Sequence, residues 1–262
     1  MMVAIIQFEP ILNKKEKNQE KIHNLLENSL KFKPELIVLP ELAFSGYNFT
    51  SIKEVENTSD EIPNSKSCQI LESFAKKNNL YIVSGINEKY EQEYYNSAVV
   101  FGPSGYILTY RKIHLYNREK EFFKPGNLKP TLFSINGVKI GIMICFDWFF
   151  PEFPRTIALL GADIICHPMN AVIPDGAMIG DTYHSKWNRI FVILANRIGI
   201  EGDLKFLGMS QISDPTGNIL IQASKDKEEI IHFDLDFNLA KNKNLTKWNH
   251  VFEDRRPEFY FK

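Results

Sequence analysis

Cysteine is scarce in this chain, three in 262 residues, and Cys68, Cys145 and Cys166 form no Cys-x-x-Cys pair. Thiols so few and so widely spaced exclude a disulfide framework and a thiolate zinc site, and each is left to packing or to chemistry. The six histidines show no His-x-His or His-Glu-x-x-His spacing, so neither a metal nor a cofactor is expected. A surplus of charge is missing as well: 31 Lys and Arg face 32 Asp and Glu, a formal net charge of -1. That removes the bulk electrostatic reason to expect nucleic acid or an anionic membrane as partner, and a small molecule is the better expectation. No apolar run approaches the roughly 20 residues that cross a bilayer. Met1 to Pro10 lacks the basic region and cleavage site of a secretory signal, so a cytoplasmic location is expected. Linkers rich in Gly, Ser or Pro, repeats and low-complexity segments are absent too. The expectation is one domain over 1–262, with 239–262 as an extended carboxyl-terminal tail.

What the chain does have is 44% hydrophobic residues, arranged as alternating strands and helices. Val3 to Phe8 reads as a strand, Ile22, Leu25, Leu26 and Leu30 recur at helical spacing, and Leu36 to Leu39 is a second buried strand. Ile70, Leu71, Phe74 and Ala75 mark another helix, followed by strands at Tyr81 to Ile86, Asn96 to Phe101 and Tyr106 to Lys112. The Asn136-Gly137 pair turns a hairpin into Val138 to Cys145. Beyond it come a helix at Glu152 to Leu160, a strand at Asp163 to Cys166, a loop to Gly180 and a helix around Tyr183 to Arg189. Strands at Phe191 to Asn196, Leu207 to Ser213, Asn218 to Ala223 and Ile230 to Leu235 complete the set. Hairpins mixed with βαβ connections imply an α/β fold, a four-layer α-β-β-α sandwich of two mixed sheets covered by helices.

Three reactive side chains fall at the carboxyl ends of strands: Glu41, Lys112 and Cys145. In open α/β sheets the ligand crevice lies outside those ends. Taken singly, a Cys ending an apolar strand is an ordinary small hydrophobe and a Glu or Lys an ordinary solvated terminus. The neighbourhood of Cys145 weighs against that: a buried strand, Gly141 to Ile144, turns sharply toward a helix at Pro151-Glu152. Such a turn lifts the sulfur out of the sheet and aims backbone N–H groups, above all that of Phe146, at whatever it attacks. Cys166 precedes His167, but neighbours on a strand point to opposite faces and cannot pair. Cys68 starts an amphipathic helix without a base nearby.

The motifs around these residues resemble the nitrilase superfamily of carbon-nitrogen hydrolases over the whole chain. Leu39-Pro40-Glu41 with Ser45-Gly46-Tyr47 is similar to its glutamate block, and Tyr110 to Leu115 to its lysine block. Cys145 to Trp148 with Phe150-Pro151-Glu152 and Arg155 is similar to its nucleophile block. Gly208 to Gly217 and Asp254 to Glu258 resemble two later motifs. The resemblance implies a second glutamate ahead of Pro125-Gly126, assigned to Glu119, with Glu121 a solvated neighbour. The region that usually reads Arg-Ala-x-Glu-Asn is His184-Ser185-Lys186-Trp187-Asn188 here, a departure that bears on recognition or a local ion pair rather than on the chemistry.

The chemistry implied is a cysteine hydrolase of a small amide, with a nitrile as the alternative substrate and a catalytically silent binding relative as the alternative of another class. A free thiol is only a few per cent ionised at neutral pH, so Glu41 as base makes the nucleophile available without a histidine. Lys112 and the Phe146 N–H would stabilise the oxyanion, the buried groups titrating as one coupled set. Tyr47, Met169, Asn170 and Val172 are candidate substrate contacts, the last three on the loop Pro168 to Gly180. The tail carries Trp248, Val251, Phe252, Phe259, Tyr260 and Phe261 among Arg255, Arg256 and Lys262, a composition suited to an interface, and a homodimer is expected.

Overall fold

From Val3 onward every residue of β1 (Met2–Gln7) is buried, and the period of two along the strand divides them between two cores. Val3 and Ile5 face the space between two sheets, whereas Ala4 and Ile6 face helices. The computed structural model describes residues 1–174 and 176–260; Phe261 and Lys262 of the tail lie outside the described residues.

After β1 come α1 (Lys15–Ser29), β2 (Leu36–Val38), α2 (Ile52–Thr58), α3 (Lys66–Asn78), β3 (Tyr81–Tyr90), β4 (Glu93–Gly102) and β5 (Gly105–Arg111). Strands β1, β2 and β3 run parallel, and β4 and β5 extend the sheet antiparallel. Helix α3 starts where Ser65 accepts the Cys68 N–H, and buries Cys68, Leu71, Phe74 and Ala75 as one stripe. That stripe, with Ile22 and Leu26 of α1, covers the outer face of the sheet.

The second half builds α4 (Glu119–Phe122), β6 (Phe133–Ile135), β7 (Val138–Ile142), α5 (Glu152–Leu159), β8 (Ile164–Pro168), α6 (Gly176–Asn188) and β9 (Phe191–Ala195). Next are β10 (Ile198–Glu201), β11 (Leu204–Leu207), β12 (Gln211–Ser213), β13 (Ile219–Gln222) and β14 (Glu229–Asp234). The second sheet has the order β13-β12-β9-β8-β7-β6, its central β7, β8 and β9 parallel. Strand β14 crosses back to close the first sheet beside β1. Across the shared core β1 packs on β9 and β3 on β8, with α1 and α3 outside one sheet and α5 and α6 outside the other. This is the expected four-layer α-β-β-α sandwich.

Four local readings need correction. Leu207 to Ser213 is not one strand, because Gly208 and Met209 both take positive φ (59° and 58°) and break it. The loop expected to reach Gly180 stops earlier, since α6 begins at Gly176. The strand leading to Cys145 ends at Ile142, and the hairpin of β10 and β11 was not anticipated. The tail is anchored on its own chain, with Arg155 donating to the Val251 carbonyl (3.2 Å) and stacking over Phe252, yet Trp248 and Phe259 stay 81% and 73% exposed.

Candidate active site

Glu41 lies in the turn after β2, and that turn rests directly on β3. A Cβ at Gly85 would stand 2.4 Å from the Glu41 Cα, so only glycine lets the two backbones approach so closely. Lys112 follows β5, its N–H donating to the Asn96 carbonyl of β4 and its carbonyl accepting the Gly126 N–H, both at 2.8 Å. Cys145 opens a 3-10 turn, Cys145–Phe149, with φ of 41°, a left-handed conformation that costs energy for any residue but glycine. Asp147 holds the turn: its buried carboxylate accepts the Ile144 N–H (2.9 Å), the Tyr110 hydroxyl (2.7 Å) and the His114 N–H (3.1 Å). It thereby ties the segment carrying Lys112 to the one carrying Cys145.

The structure brings Glu41, Lys112, Glu119 and Cys145 together. Lys112 Nζ donates to Glu41 Oε1 and to Glu119 Oε1, each at 2.7 Å, and its side chain is wholly buried. Glu41 Oε1 also accepts from Asn96 Nδ2 at 2.6 Å, while Glu41 Oε2 is buried without a hydrogen-bond partner among the described residues. Glu119 Oε1 accepts from the Tyr47 hydroxyl at 2.7 Å, and its Oε2 from the Tyr116 N–H at 3.3 Å. Glu121, two residues on, is at the surface and pairs with Arg118.

Burial dominates the electrostatics. It pushes the Cys145 thiol well above its ordinary range, the Glu41 charge adding to the effect, so the resting group is the neutral thiol. Burial likewise raises Glu119 to about 7 against the pull of Lys112, with Glu41 pushing it further up. For Lys112 burial works to lower the pKa, but the charges of Cys145 when ionised, of Glu119 and of Glu41 hold the ammonium well above its usual value. Burial also keeps Tyr47 a phenol, able to donate to Glu119. Burial raises the other two thiols as well, Cys68 to about 12 and Cys166 without any charge partner.

Cys145 opens into a cavity of about 20 Å³ lined by Tyr116, Phe146, Trp148, Met169, Asn170 and Val172. A second cavity of about 120 Å³, bordered by Tyr47 and Glu119, shares Tyr116 and Val172 with the first. All four candidate substrate contacts therefore border one or the other. Phe146, second residue of its turn, has no carbonyl of that turn three residues behind it, which leaves its N–H without a partner inside the turn. Asn170 is 2% exposed, and neither atom of its side-chain amide has a hydrogen-bond partner among the described residues. Among the described residues no cluster of His, Cys, Asp and Glu could hold a metal ion.

Several partners went unread in the sequence. Asn96 and Tyr116 carry no motif of their own. Glu201 accepts the backbone N–H groups of Tyr47 (2.9 Å) and Asn48 (2.8 Å) and pairs with the buried Arg197 (2.5 Å), so the β10–β11 hairpin braces the Tyr47 loop. His167 points away from Cys166, as strand geometry requires, but reaches the Cys145 carbonyl with Nε2 (3.0 Å) and Asp181 Oδ2 with Nδ1 (2.8 Å). In the departing segment His184 bonds the Trp148 carbonyl (2.8 Å) and Asn188 bonds the His184 carbonyl (2.9 Å), so the place of an ion pair is taken by neutral hydrogen bonds.

Comparison with known proteins fits this geometry. The carbon-nitrogen hydrolase family model matches residues 2–243. A protein named nitrilase from Pyrococcus abyssi is 43% identical over 260 residues, covering 99% of both chains. An N-carbamoylputrescine amidase from Solanum lycopersicum is 30% identical over 86% of this chain and 82% of its own. The crystal structure of Saccharomyces cerevisiae Nit3, a member of branch 10 of the nitrilase superfamily, superposes with a TM-score of 0.82 at 26% identity over 92% of each chain. With a family match over nearly its whole length, a full-length relative and a shared fold, the chain belongs to the carbon-nitrogen hydrolase family, the nitrilase superfamily of enzymes.

Proposed function

We propose that this enzyme hydrolyses the carbon–nitrogen bond of a small amide through a thioester on Cys145. The observation that carries the reading is the asymmetry of Glu41: one oxygen is pinned by Lys112 and Asn96, and the other is buried without a hydrogen-bond partner among the described residues, while the Glu41 charge acts directly on the Cys145 thiol. A desolvated carboxylate with an unoccupied lone pair is what a general base requires. Glu41 takes the thiol proton as sulfur attacks the carbonyl carbon. Lys112 Nζ and the Phe146 N–H stabilise the oxyanion, and Glu41 returns the proton to the departing ammonia or amine. Water, deprotonated by the same carboxylate, then hydrolyses the thioester. Glu119 keeps the Lys112 ammonium in place and, with Tyr47, borders the larger cavity.

Two features support a small carboxamide. The cavities beside the sulfur leave room for a short chain only, and the unpartnered Asn170 amide offers one donor group and one acceptor to a substrate that itself carries both. A nitrile presents an acceptor alone. The second reading, a small nitrile cleaved through a thioimidate by the same three groups, is favoured by the name of the Pyrococcus abyssi relative.

A homodimer belongs to the same reading. Leu159, Trp187 and Leu245 line an open groove between α5, α6 and the tail, with Tyr183 stacked on Trp187 and Trp248 also exposed, apolar and aromatic surface of the kind that interfaces use.

The test is ammonia release from a panel of short aliphatic amides, carbamoyl compounds and nitriles, with Cys145→Ala as control. Turnover of amides by the native protein and none by the variant is expected. Turnover retained in the variant overturns the mechanism, and an inert native protein whose thiol also resists labelling points to a silent binding relative.

A further inference from the structure

The nucleophile's own peptide unit is held from behind. His167, fully buried on β8, faces an acceptor with each ring nitrogen: the Cys145 carbonyl oxygen at 3.0 Å from Nε2, and Asp181 Oδ2 at 2.8 Å from Nδ1. A carbonyl can only accept, and an ionised carboxylate can only accept. Two acceptors on one imidazole are satisfied together only when both nitrogens carry hydrogen. A neutral ring would have to turn a lone pair on one of them, and beside Asp181 it would be the Cys145 carbonyl that lost its donor. The titratable groups about the ring are Asp181 and His184 of α6 and Asp147 of the nucleophile turn. Burial works against a charged ring, but Asp181, the Cys145 carbonyl and Asp147 together outweigh it, so the His167 pKa lies above its ordinary value.

The clamped carbonyl belongs to the peptide bond whose other end is the Phe146 N–H. In a trans peptide the C=O and N–H point in opposite directions, so a donor fixed on the carbonyl side fixes the direction of the N–H on the pocket side. Withdrawing electrons from the oxygen also makes that N–H a stronger donor, the polarisation that strengthens chains of hydrogen bonds in a low dielectric.

We propose that His167, held as a buried imidazolium by Asp181, is a positioning residue that clamps the Cys145 carbonyl and thereby aims and strengthens the Phe146 N–H for the oxyanion. The proposal rests on the reading of Phe146 as an oxyanion donor. It also accounts for the persistence of the left-handed backbone at Cys145, which the His167 bond and the Asp147 carboxylate hold from two sides.

The experiment has two arms. Long-range nitrogen–proton correlation spectra of the native protein, labelled at histidine, report the ring directly and need no turnover: both His167 nitrogens protonated at neutral pH is expected, and a neutral ring overturns the proposal. The second arm compares His167→Gln with the native enzyme in amide hydrolysis and in Cys145 alkylation by iodoacetamide. Alkylation displaces iodide at a saturated carbon and builds no oxyanion, so it needs the sulfur and its base but not the Phe146 N–H. The expectation is a fall in kcat of at least about tenfold, short of the 10² to 10³ lost with a whole oxyanion donor, with KM and the alkylation rate within about twofold. A parallel fall in alkylation would make His167 a structural prop and overturn the proposal. If His167→Gln does not fold, Asp181→Asn substitutes, with the ring turning neutral and kcat falling in the same direction. A native enzyme that releases ammonia from no substrate overturns the functional reading itself, an outcome that the ring spectra keep distinct.

Discussion

Glu41 and Glu119 grip the same ammonium, each with its Oε1 at 2.7 Å from Lys112 Nζ, yet they are not equivalent. The remaining oxygen of Glu119 accepts the Tyr116 N–H, whereas that of Glu41 has no partner among the described residues. One carboxylate is spent on holding the site and the other keeps a lone pair for a proton.

Glu41→Gln should keep the shape of the site and remove that lone pair. Acylation and deacylation both slow by at least about 10²-fold, the low end of general-base contributions. Stopped-flow alkylation of Cys145 should slow with them, because the thiol stays protonated. A variant turning over near the native rate would place the base elsewhere.

Lys112→Ala removes the oxyanion's cation, worth on the order of 3 kcal/mol of barrier or more by analogy with other donors. It also leaves two buried carboxylates facing each other, and breaking a buried pair costs about 3–5 kcal/mol of stability. The melting temperature should therefore fall together with kcat. Lys112→Arg should not restore either, since a planar fork cannot sit at 2.7 Å from both Glu41 and Glu119 in a pocket shaped for a compact ammonium.

Glu119→Gln should impair catalysis strongly, while Glu121→Gln, which loses only a surface pair with Arg118, should be close to neutral. Stability gives a second readout. Burial first, then Glu41, raises Glu119 to about 7 against Lys112, so the folded chain holds its proton more tightly than the unfolded chain does. That contribution is fully present below the ordinary carboxylate pKa and is lost as pH rises toward 7. Relative to Glu119→Gln, the native protein should therefore lose melting temperature as pH is raised from about 5 to about 8. A difference that stays flat across that range would mean that Glu119 ionises as an ordinary acid.

Sedimentation of the full-length protein at micromolar concentration should show a dimer. Trp187→Asp, at a residue 51% exposed beside the groove, should shift it to monomer without lowering the melting temperature by more than a few degrees. Deleting Asn249 to Lys262 should also disrupt the dimer. A native monomer at that concentration rules the dimer out.

The sandwich and the grouping of Glu41, Lys112 and Cys145 were legible because strand periodicity and short motifs are local signals, whereas Glu119 came only from the spacing that the family resemblance implies. What was not legible is long-range or contradicts propensity. Helix α6 begins with Gly176-Ala177-Met178-Ile179-Gly180, which reads as loop, but a Cβ at Gly180 would stand 2.5 Å from Trp148, so the glycine serves close packing. The break after β11 depends on Met209 adopting a left-handed conformation that nothing in its side chain announces. His167 could be excluded as a partner of Cys166 from strand geometry, but its bond to Cys145, 22 residues earlier, exists only once β8 lies beside β7. Asp181 and Glu201 are likewise ordinary in sequence and acquire meaning from the turn or loop that folds against them.

Glu41 and Lys112 come from the first sheet, and Cys145 from the second. Neither half of the chain can therefore rehearse the reaction alone. During synthesis the Cys145 thiol emerges after Glu41 and Lys112, and until the two sheets close on their common core it is an ordinary solvent-exposed thiol without those partners. The activity proposed for Cys145 is thus a certificate of completed assembly, because a half-formed chain holds the three groups apart.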